Sequence, residues 1–320
     1  MFFERIRVIT GSGNSKFPAC TSLFLDGGDV AAVLDTGAGP DALVKAKAER
    51  RVDIVVNTHY HFDHICGNYL FPDAVFYLNQ LEVKCFADLS QVGNWLGIRE
   101  IYGNKGVEAW LEKVATPGYS QCSYTPAHRH EWWMSSRVPA IAYDYDQDWQ
   151  IGNVRVRMIH APGHTRGFCC PFFPDEGLVY TGDIDLTDFG PWYFGSDGNI
   201  KDFIASAHRI AQLDVAWFLT GHQVGMCSRT HFLLKLDEYL AKIYKRQERL
   251  LDLLNSGISP EEIPAHGLLY PPKFQSDPWI AMWERIGVRK HLEWLREEQP
   301  RNVDGGLLVR PMLNGSMESV

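Results

Sequence analysis

Between His59 and His64, in the stretch Thr58-His59-Tyr60-His61-Phe62-Asp63-His64, the chain places three histidines and an aspartate directly after the apolar run Ile54–Val56. In an extended segment His59 and His61 project to the same side, because side chains alternate with period two. A turn at the adjacent Asp63 and His64 aims that pair at a second point nearby. Imidazole and carboxylate suit zinc, and also iron or manganese. Two ligand pairs this close point to two metal sites rather than one. Two protein ligands leave a coordination shell incomplete, and three later positions qualify to fill it. They are His164 in Ala161-Pro162-Gly163-His164-Thr165, Asp183 in Tyr180-Thr181-Gly182-Asp183 and His222 in Leu219-Thr220-Gly221-His222. Each follows an apolar strand-like run, and the small residues before it let the backbone turn sharply. A ligand at a strand end is held rigidly, as a preorganised site needs.

The elements that must hold these residues are legible as alternating strands and helices up to about residue 225. Apolar runs at Ser22–Leu25 and Val30–Leu34 are split by the turn Asp26-Gly27-Gly28. A helix from about Asp41 to Glu49 leads to a strand at Asp53–Val56. Further strands are expected at Ala74–Leu78, Val154–Ile159, Phe168–Phe173, Leu178–Thr181 and Val215–Leu219, with a helix at Asn199–Leu213. After that come helices only. Thr230–Asn255 is one long amphipathic segment, Ser259-Pro260-Glu261-Glu262 reads as a capping-box helix start, and Pro278–Glu298 is a further helix. The tail from Gln299 is expected to be loosely ordered. Between about Cys85 and Trp149 the pattern is irregular and aromatic, with Trp95, Trp110, Trp132, Trp133 and Trp149 supplying half of the ten tryptophans. This gives a catalytic domain over 1–228 with an aromatic-rich insert at about 85–149, and a helical extension over 229–320.

The ordered set THYHFDH, APGHT, TGD and TGH, preceded by Val33-Leu34-Asp35-Thr36-Gly37, resembles the metallo-β-lactamase-fold hydrolase superfamily over about residues 20 to 225. The resemblance implies an α+β fold, a four-layer αββα sandwich with metals at one edge between the sheets. Position by position, it implies that His59, His61 and His164 bind a first metal and that Asp63, His64 and His222 bind a second. Asp183 then bridges them. The implied cofactors are two divalent ions, zinc first, with iron or manganese as alternatives. The chemistry expected of such a site is hydrolysis by a metal-bridging hydroxide, with Asp63 and Asp183 as the catalytic carboxylates and Asp63 passing a proton to the leaving group.

Departures from known branches narrow the substrate. The β-lactamases of this fold lack the bridging aspartate, and Asp183 is present here. The stretch Leu186–Gly195 lacks the Gly-Cys-Gly-Arg/Lys segment of glyoxalase II, which argues against glutathione thioesters. Leu186 stands where acyl-homoserine lactonases carry a tyrosine. A small ester, thioester or lactone is left, with Trp192, Tyr193 and Phe194 as candidate substrate contacts because they follow Asp183 closely. A second class of function is a persulfide dioxygenase holding one iron through His59, His164 and Asp183. A third is a non-catalytic binding member of the fold.

Other residues carry plainer expectations. His160, His208, His231 and His291 read as isolated core or surface imidazoles, and Asp185 as a weaker rival to Asp183. His128 and His130 read as loop residues, and Cys169-Cys170 as buried small hydrophobes. The 320 residues carry a formal charge of −8, with 45% hydrophobic and 22% charged residues. That balance offers no footprint for nucleic acid or an anionic membrane. The N-terminal MFFERIRVIT shows no secretory signal, no run is long enough to span a bilayer, and the seven cysteines form no C-x-x-C framework. A cytoplasmic protein acting on a small molecule is expected, and the amphipathic C-terminal helices suit either packing on the sandwich or a homodimer interface.

Overall fold

The computed structural model describes residues 3–117 and 130–298. Two six-stranded sheets face each other. The first runs in the order β1 (Ile6–Ile9), β2 (Ser22–Asp26), β3 (Ala31–Leu34), β4 (Ile54–Val56), β5 (Val75–Asn79), β6 (Ala140–Tyr143). The second runs β12 (Met226–Ser228), β11 (Trp217–Thr220), β10 (Leu178–Gly182), β9 (Cys169–Phe173), β8 (Val154–His160), β7 (Asp148–Ile151). The β3–β4, β4–β5, β5–β6 and β10–β11 pairs are parallel and the others antiparallel. Helices are α1 (Ser12–Ser15), α2 (Pro40–Glu49), α3 (Phe62–Ile65), α4 (Leu89–Trp95), α5 (Ile98–Ala115), α6 (His130–Ser135), α7 (Ile200–Ala211), α8 (Arg229–Asn255) and α9 (Pro278–Glu298).

The period-two alternation of strand side chains builds the layers. Leu23, Leu25, Ala32, Leu34 and Val56 turn inward and meet Val154, Val156, Met158, Cys169, Leu178, Tyr180 and Leu219 of the second sheet. Phe24, Ala31, Val33 and Val55 turn outward onto Leu43 and Ala46 of α2. On the other outer face Cys170, Val179 and Phe218 join Phe203 and Ala207 of α7. Phe218 stacks on Phe232 of α8 with ring centroids 3.9 Å apart. The sandwich expected from the sequence is therefore present. The two adjacent cysteines point to opposite faces of β9, as buried small hydrophobes do.

The structure differs from expectation in two places. The described residues of 85–149 hold regular structure: α4, α5 and α6 form there, and an edge strand is supplied to each sheet, β6 beside β5 and β7 beside β8. Trp110 and Trp132 are buried, 5.5 Å apart, with Phe62 5.4 Å from Trp132. The helix expected after Ser259 shrinks to a turn and a 3-10 stretch at Ile263–His266. Its capping carboxylate forms, with Glu262 accepting from the Ser259 N–H and hydroxyl. Pro264 and the left-handed Gly267 (φ 67°) then stop the helix from propagating.

The C-terminal helices pack on the sandwich. Tyr239, Ile243 and Leu250 of α8 and Trp279, Met282 and Ile286 of α9 belong to the same apolar cluster as Val179 and Phe218. They also send buried polar groups to the loop that follows β10 and to the segment between α8 and α9. Arg246 donates to the carbonyls of Phe189 and Pro191, each at 2.7 Å, and lies 5.2 Å from the Phe189 and Phe194 ring centres. Glu284, with no exposed surface, accepts N–H bonds from Leu268, Leu269 and Tyr270. Lys290 donates to the Gly198 carbonyl. Replacing Arg246 by Met keeps much of the aliphatic volume but leaves two carbonyls without their donor. Urea denaturation of Arg246→Met is expected to show a loss of about 2–4 kcal/mol; an unchanged midpoint would mean that the loop holds itself.

Candidate metal centre

The residues singled out in the sequence converge at the C-terminal ends of four strands. His59 follows β4, and α3 turns the chain so that Asp63 and His64 come back beside it. His164 follows β8, Asp183 follows β10 and His222 follows β11. Gly163 (φ 126°) lies so close to the α7 backbone that a Cβ there would be 2.1 Å from the Phe203 nitrogen. That approach lets the chain turn at the end of β8 and aim His164 inward.

Two ligand-capable groups form, each with one donor atom per residue and all donors within 4.8 Å of one another. One is His59, His61, His164 and Asp183, and the other is Asp63, His64, Asp183 and His222. Asp183 belongs to both. Its Oδ2 lies 3.2 Å from His59 Nε2, 3.1 Å from His164 Nε2 and 3.2 Å from His64 Nε2. Its Oδ1 lies 2.9 Å from His222 Nε2, which is also 3.2 Å from Asp63 Oδ2. His164 Nε2 stands 3.2 Å from His59 Nε2 and 2.8 Å from His61 Nδ1.

Four of the five imidazoles are set from behind. His64 Nδ1 meets Asp35 Oδ2 at 2.6 Å, and Asp35 also accepts from the Thr58 N–H and hydroxyl. Because the Thr58 hydrogen goes to Asp35, its hydroxyl oxygen is left to accept from His59 Nδ1 at 3.0 Å. His164 Nδ1 donates to the Trp192 carbonyl, and His222 Nδ1 donates to the carbonyls of Ser15 and Ala19. With Nδ1 protonated and engaged, Nε2 presents a lone pair to the centre. Cys20, Asp35 and His64 form a third close group. There Asp35 is already engaged by Thr58 and His64, so it orients an imidazole.

These residues fit metal ions. His64 Nε2 and Asp183 Oδ2 are buried without a hydrogen-bond partner, a costly state unless something else binds them. Donors of a tetrahedral zinc with bonds of about 2.0–2.1 Å stand about 3.3 Å apart, close to the spacings found here. Burial, reinforced by His64, pushes His59 down to about 4, and burial with the neighbouring His164 pushes His61 well down. Burial opposes charge on Asp183 too, yet His164 and His64 hold its carboxyl well below the usual range. Against the effect of burial, Cys20 and Asp183 raise His64, and Asp183 raises His164 and His222; a divalent cation bound there would take the place of those protons.

The remaining candidates fall into place by burial. The Trp192 ring, half-buried, lies 5.2 Å from His61 and 5.4 Å from His164, and its indole N–H donates to the Tyr270 hydroxyl. Trp283 of α9 packs edge-on against it at 5.4 Å. Tyr193 and Phe194 have no exposed surface. Tyr193 is bonded to His291 Nε2 at 2.8 Å and Phe194 lies among Phe189, Trp192 and Tyr270. Of the three candidate substrate contacts only Trp192 therefore borders the site, and the other two support it from the core. Asp185 accepts from Thr187 and lies outside both ligand groups. His160 stacks on Tyr145, His291 is buried, and His208 and His231 are exposed. His130 opens α6 and bonds the Val114 carbonyl; His128 lies outside the described residues. The sequence carried no signal for Trp192 as backbone acceptor or for Tyr239, whose hydroxyl donates to the Asp183 carbonyl at 2.9 Å.

Known proteins resemble this chain in sequence and in fold. The human acyl-coenzyme A thioesterase MBLAC2 is 23% identical over 199 residues, 57% of this chain and 63% of that protein. The mitochondrial hydroxyacylglutathione hydrolase of Saccharomyces cerevisiae is 26% identical over 144 residues, 44% of this chain and 35% of that one. The chain thus spans less than two thirds of the length of either relative. Among solved structures, a metallo-beta-lactamase family protein from Thermus thermophilus superposes with a TM-score of 0.64 at 20% identity, covering 92% of this chain and 94% of its own. A beta-lactamase domain protein from Burkholderia ambifaria gives 0.58 at 15%, covering 93% and 88%. Both cover the C-terminal helices as well as the sandwich, and they speak to fold. The family description of the metallo-beta-lactamase superfamily matches residues 16–78 and 93–222, more than half of the sequence, and the chain belongs to that superfamily.

Proposed function

We propose that this protein is a hydrolase that uses two divalent metal ions to cleave a small acyl thioester or a related carbonyl ester. The observation that carries the reading is the pair of complete ligand groups sharing Asp183. Two relatives of different kinds are named for thioester hydrolysis, one on an acyl-coenzyme A and one on a hydroxyacylglutathione, which favours a thioester among the carbonyl substrates. A lone iron needs only His59, His164 and Asp183, and that reading leaves Asp63, His64 and His222 without a purpose.

His59, His61 and His164 would hold one ion, Asp63, His64 and His222 the other, and Asp183 both. Bound there, divalent cations lower the pKa of water towards neutrality and polarise a carbonyl oxygen. The rest is the work of the chain. The hydrogen bonds behind His59, His64, His164 and His222 keep their Nε2 lone pairs aimed inward. Asp63, 6% exposed, is among the members of the cluster nearest to solvent and is placed to hand a proton to the departing group. The Trp192 face beside His61 and His164 seats the apolar part of the acyl group and keeps water off it.

Metal analysis of the purified protein is expected to give two divalent ions per chain, with hydrolysis of short acyl thioesters. A single iron with oxygen consumption would replace this reading by a dioxygenase. His59→Ala and Asp183→Ala are each expected to lose metal and activity while circular dichroism shows a folded chain; full occupancy in both would refute the ligand assignment. Trp192→Ala removes an aromatic wall, so KM for an apolar acyl thioester is expected to rise roughly tenfold or more with a smaller change in kcat. Unchanged kinetic constants would place the acyl group elsewhere.

A further inference from the structure

Glu82 lies just after β5, outside both ligand groups, and has no exposed surface. Its Oε2 accepts the Tyr60 N–H at 3.1 Å and the Asn79 amide at 2.9 Å. Its Oε1 accepts the Thr165 hydroxyl at 2.5 Å and the Gly167 N–H at 2.9 Å. Tyr60 separates His59 from His61, and Thr165 follows His164. One carboxylate therefore spans the two loops that carry the three imidazoles of one ligand group. Asn79 fixes the carboxylate in turn, its Oδ1 accepting the N–H groups of Leu81 and Glu82. Gly167 comes so close that a Cβ there would lie 2.2 Å from Asn79 Oδ1 and 2.7 Å from the Glu82 carboxyl carbon. Asp197 adds a parallel tie, accepting from the Tyr60 hydroxyl at 3.2 Å and the Arg166 N–H at 3.3 Å.

We propose that Glu82 is a positioning residue that sets the spacing between His59, His61 and His164 and thereby the metal affinity of that group. The inference rests on the two-metal reading above. All four partners of Glu82 are donors, so the position calls for a group that only accepts. A glutamine cannot supply it. Turned one way, its amide nitrogen confronts the Tyr60 N–H and the Asn79 amide. Turned the other way it confronts the Gly167 N–H, and rotation of the Thr165 hydroxyl relieves only half of the conflict. Either way one loop loses its tie to the other. The ligand group of Asp63, His64 and His222 has no bond to Glu82 and keeps its own supports from Asp35, Ser15 and Ala19.

The test is titration of the metal-free protein with zinc in competition with a chromophoric chelator, comparing wild type with Glu82→Gln, the second ligand group serving as the internal control. Outer supports of metal ligands are worth about 10–100-fold in affinity. Glu82→Gln is therefore expected to bind one of its two zinc ions at least about tenfold more weakly and the other as wild type does. Wild-type affinity at both sites, or equal weakening of both, would overturn the proposal. If Glu82→Gln does not fold, Thr165→Val and Thr165→Ser carry the test. Val is expected to weaken the same single ion and Ser to restore it; Val with wild-type affinity overturns the proposal. Absence of zinc from the wild-type chain would instead refute the two-metal reading and this inference with it.

Discussion

Five imidazoles and two carboxylates, gathered into two groups with donor atoms within 4.8 Å of one another and nearly sealed from water, are the constraint around which this molecule is organised. Lone pairs aimed at one point do not attract. Something must hold them there before any ion arrives, and in this protein it is the outward face of the rings. Asp35, Thr58, Ser15, Ala19 and the Trp192 carbonyl each take a hydrogen from behind an inward-pointing histidine. The sandwich supplies the stiffness, since the ligands stand at strand ends whose inner and outer faces are both packed.

The C-terminal helices extend the same system of support. Arg246 and Lys290 direct buried cationic groups at the carbonyls of residues 189, 191 and 198, and Glu284 turns a buried carboxylate to the N–H groups that lead into Tyr270. Tyr270 and Trp283 then brace Trp192, whose backbone orients His164 and whose ring borders the site. A long-range path of direct contacts thus runs from α9 to the metal centre. Its polar links are groups whose burial would be costly without their partners.

Much of the centre was legible in the sequence because its logic is local. Histidines at i and i+2 share a side in an extended segment, and small residues before His164, Asp183 and His222 mark tight turns at strand ends. What escaped was either solitary or dependent on packing. Glu82 and Asp35 are single acids whose partners on the ligand loops are 22 or more residues away, with the pairing visible only once the loops meet. Tyr193 and Phe194 looked like Trp192 in sequence, since adjacency to Asp183 says nothing about which rings turn to the core. The stretch from Cys85 to Trp149 hid its strands because β6 and β7 are short edge strands with partly exposed faces. At Ser259 a sound start signal was outweighed by Pro264 five residues later.

The order of the ligands along the chain has a mechanical consequence. His59, His61, Asp63 and His64 hang from the first sheet; His164, Asp183 and His222 hang from the second. Each ligand group draws on both, so neither half of the sandwich contains a whole site. An ion seated here works as a rivet through two plates, strengthening the seam between the sheets at the edge where no strand crosses it. It also makes occupancy a late event in the life of the chain. During synthesis the first four ligands emerge a hundred residues before the fifth. They must wait, unmatched, until His222 has been made and the second sheet has closed over them.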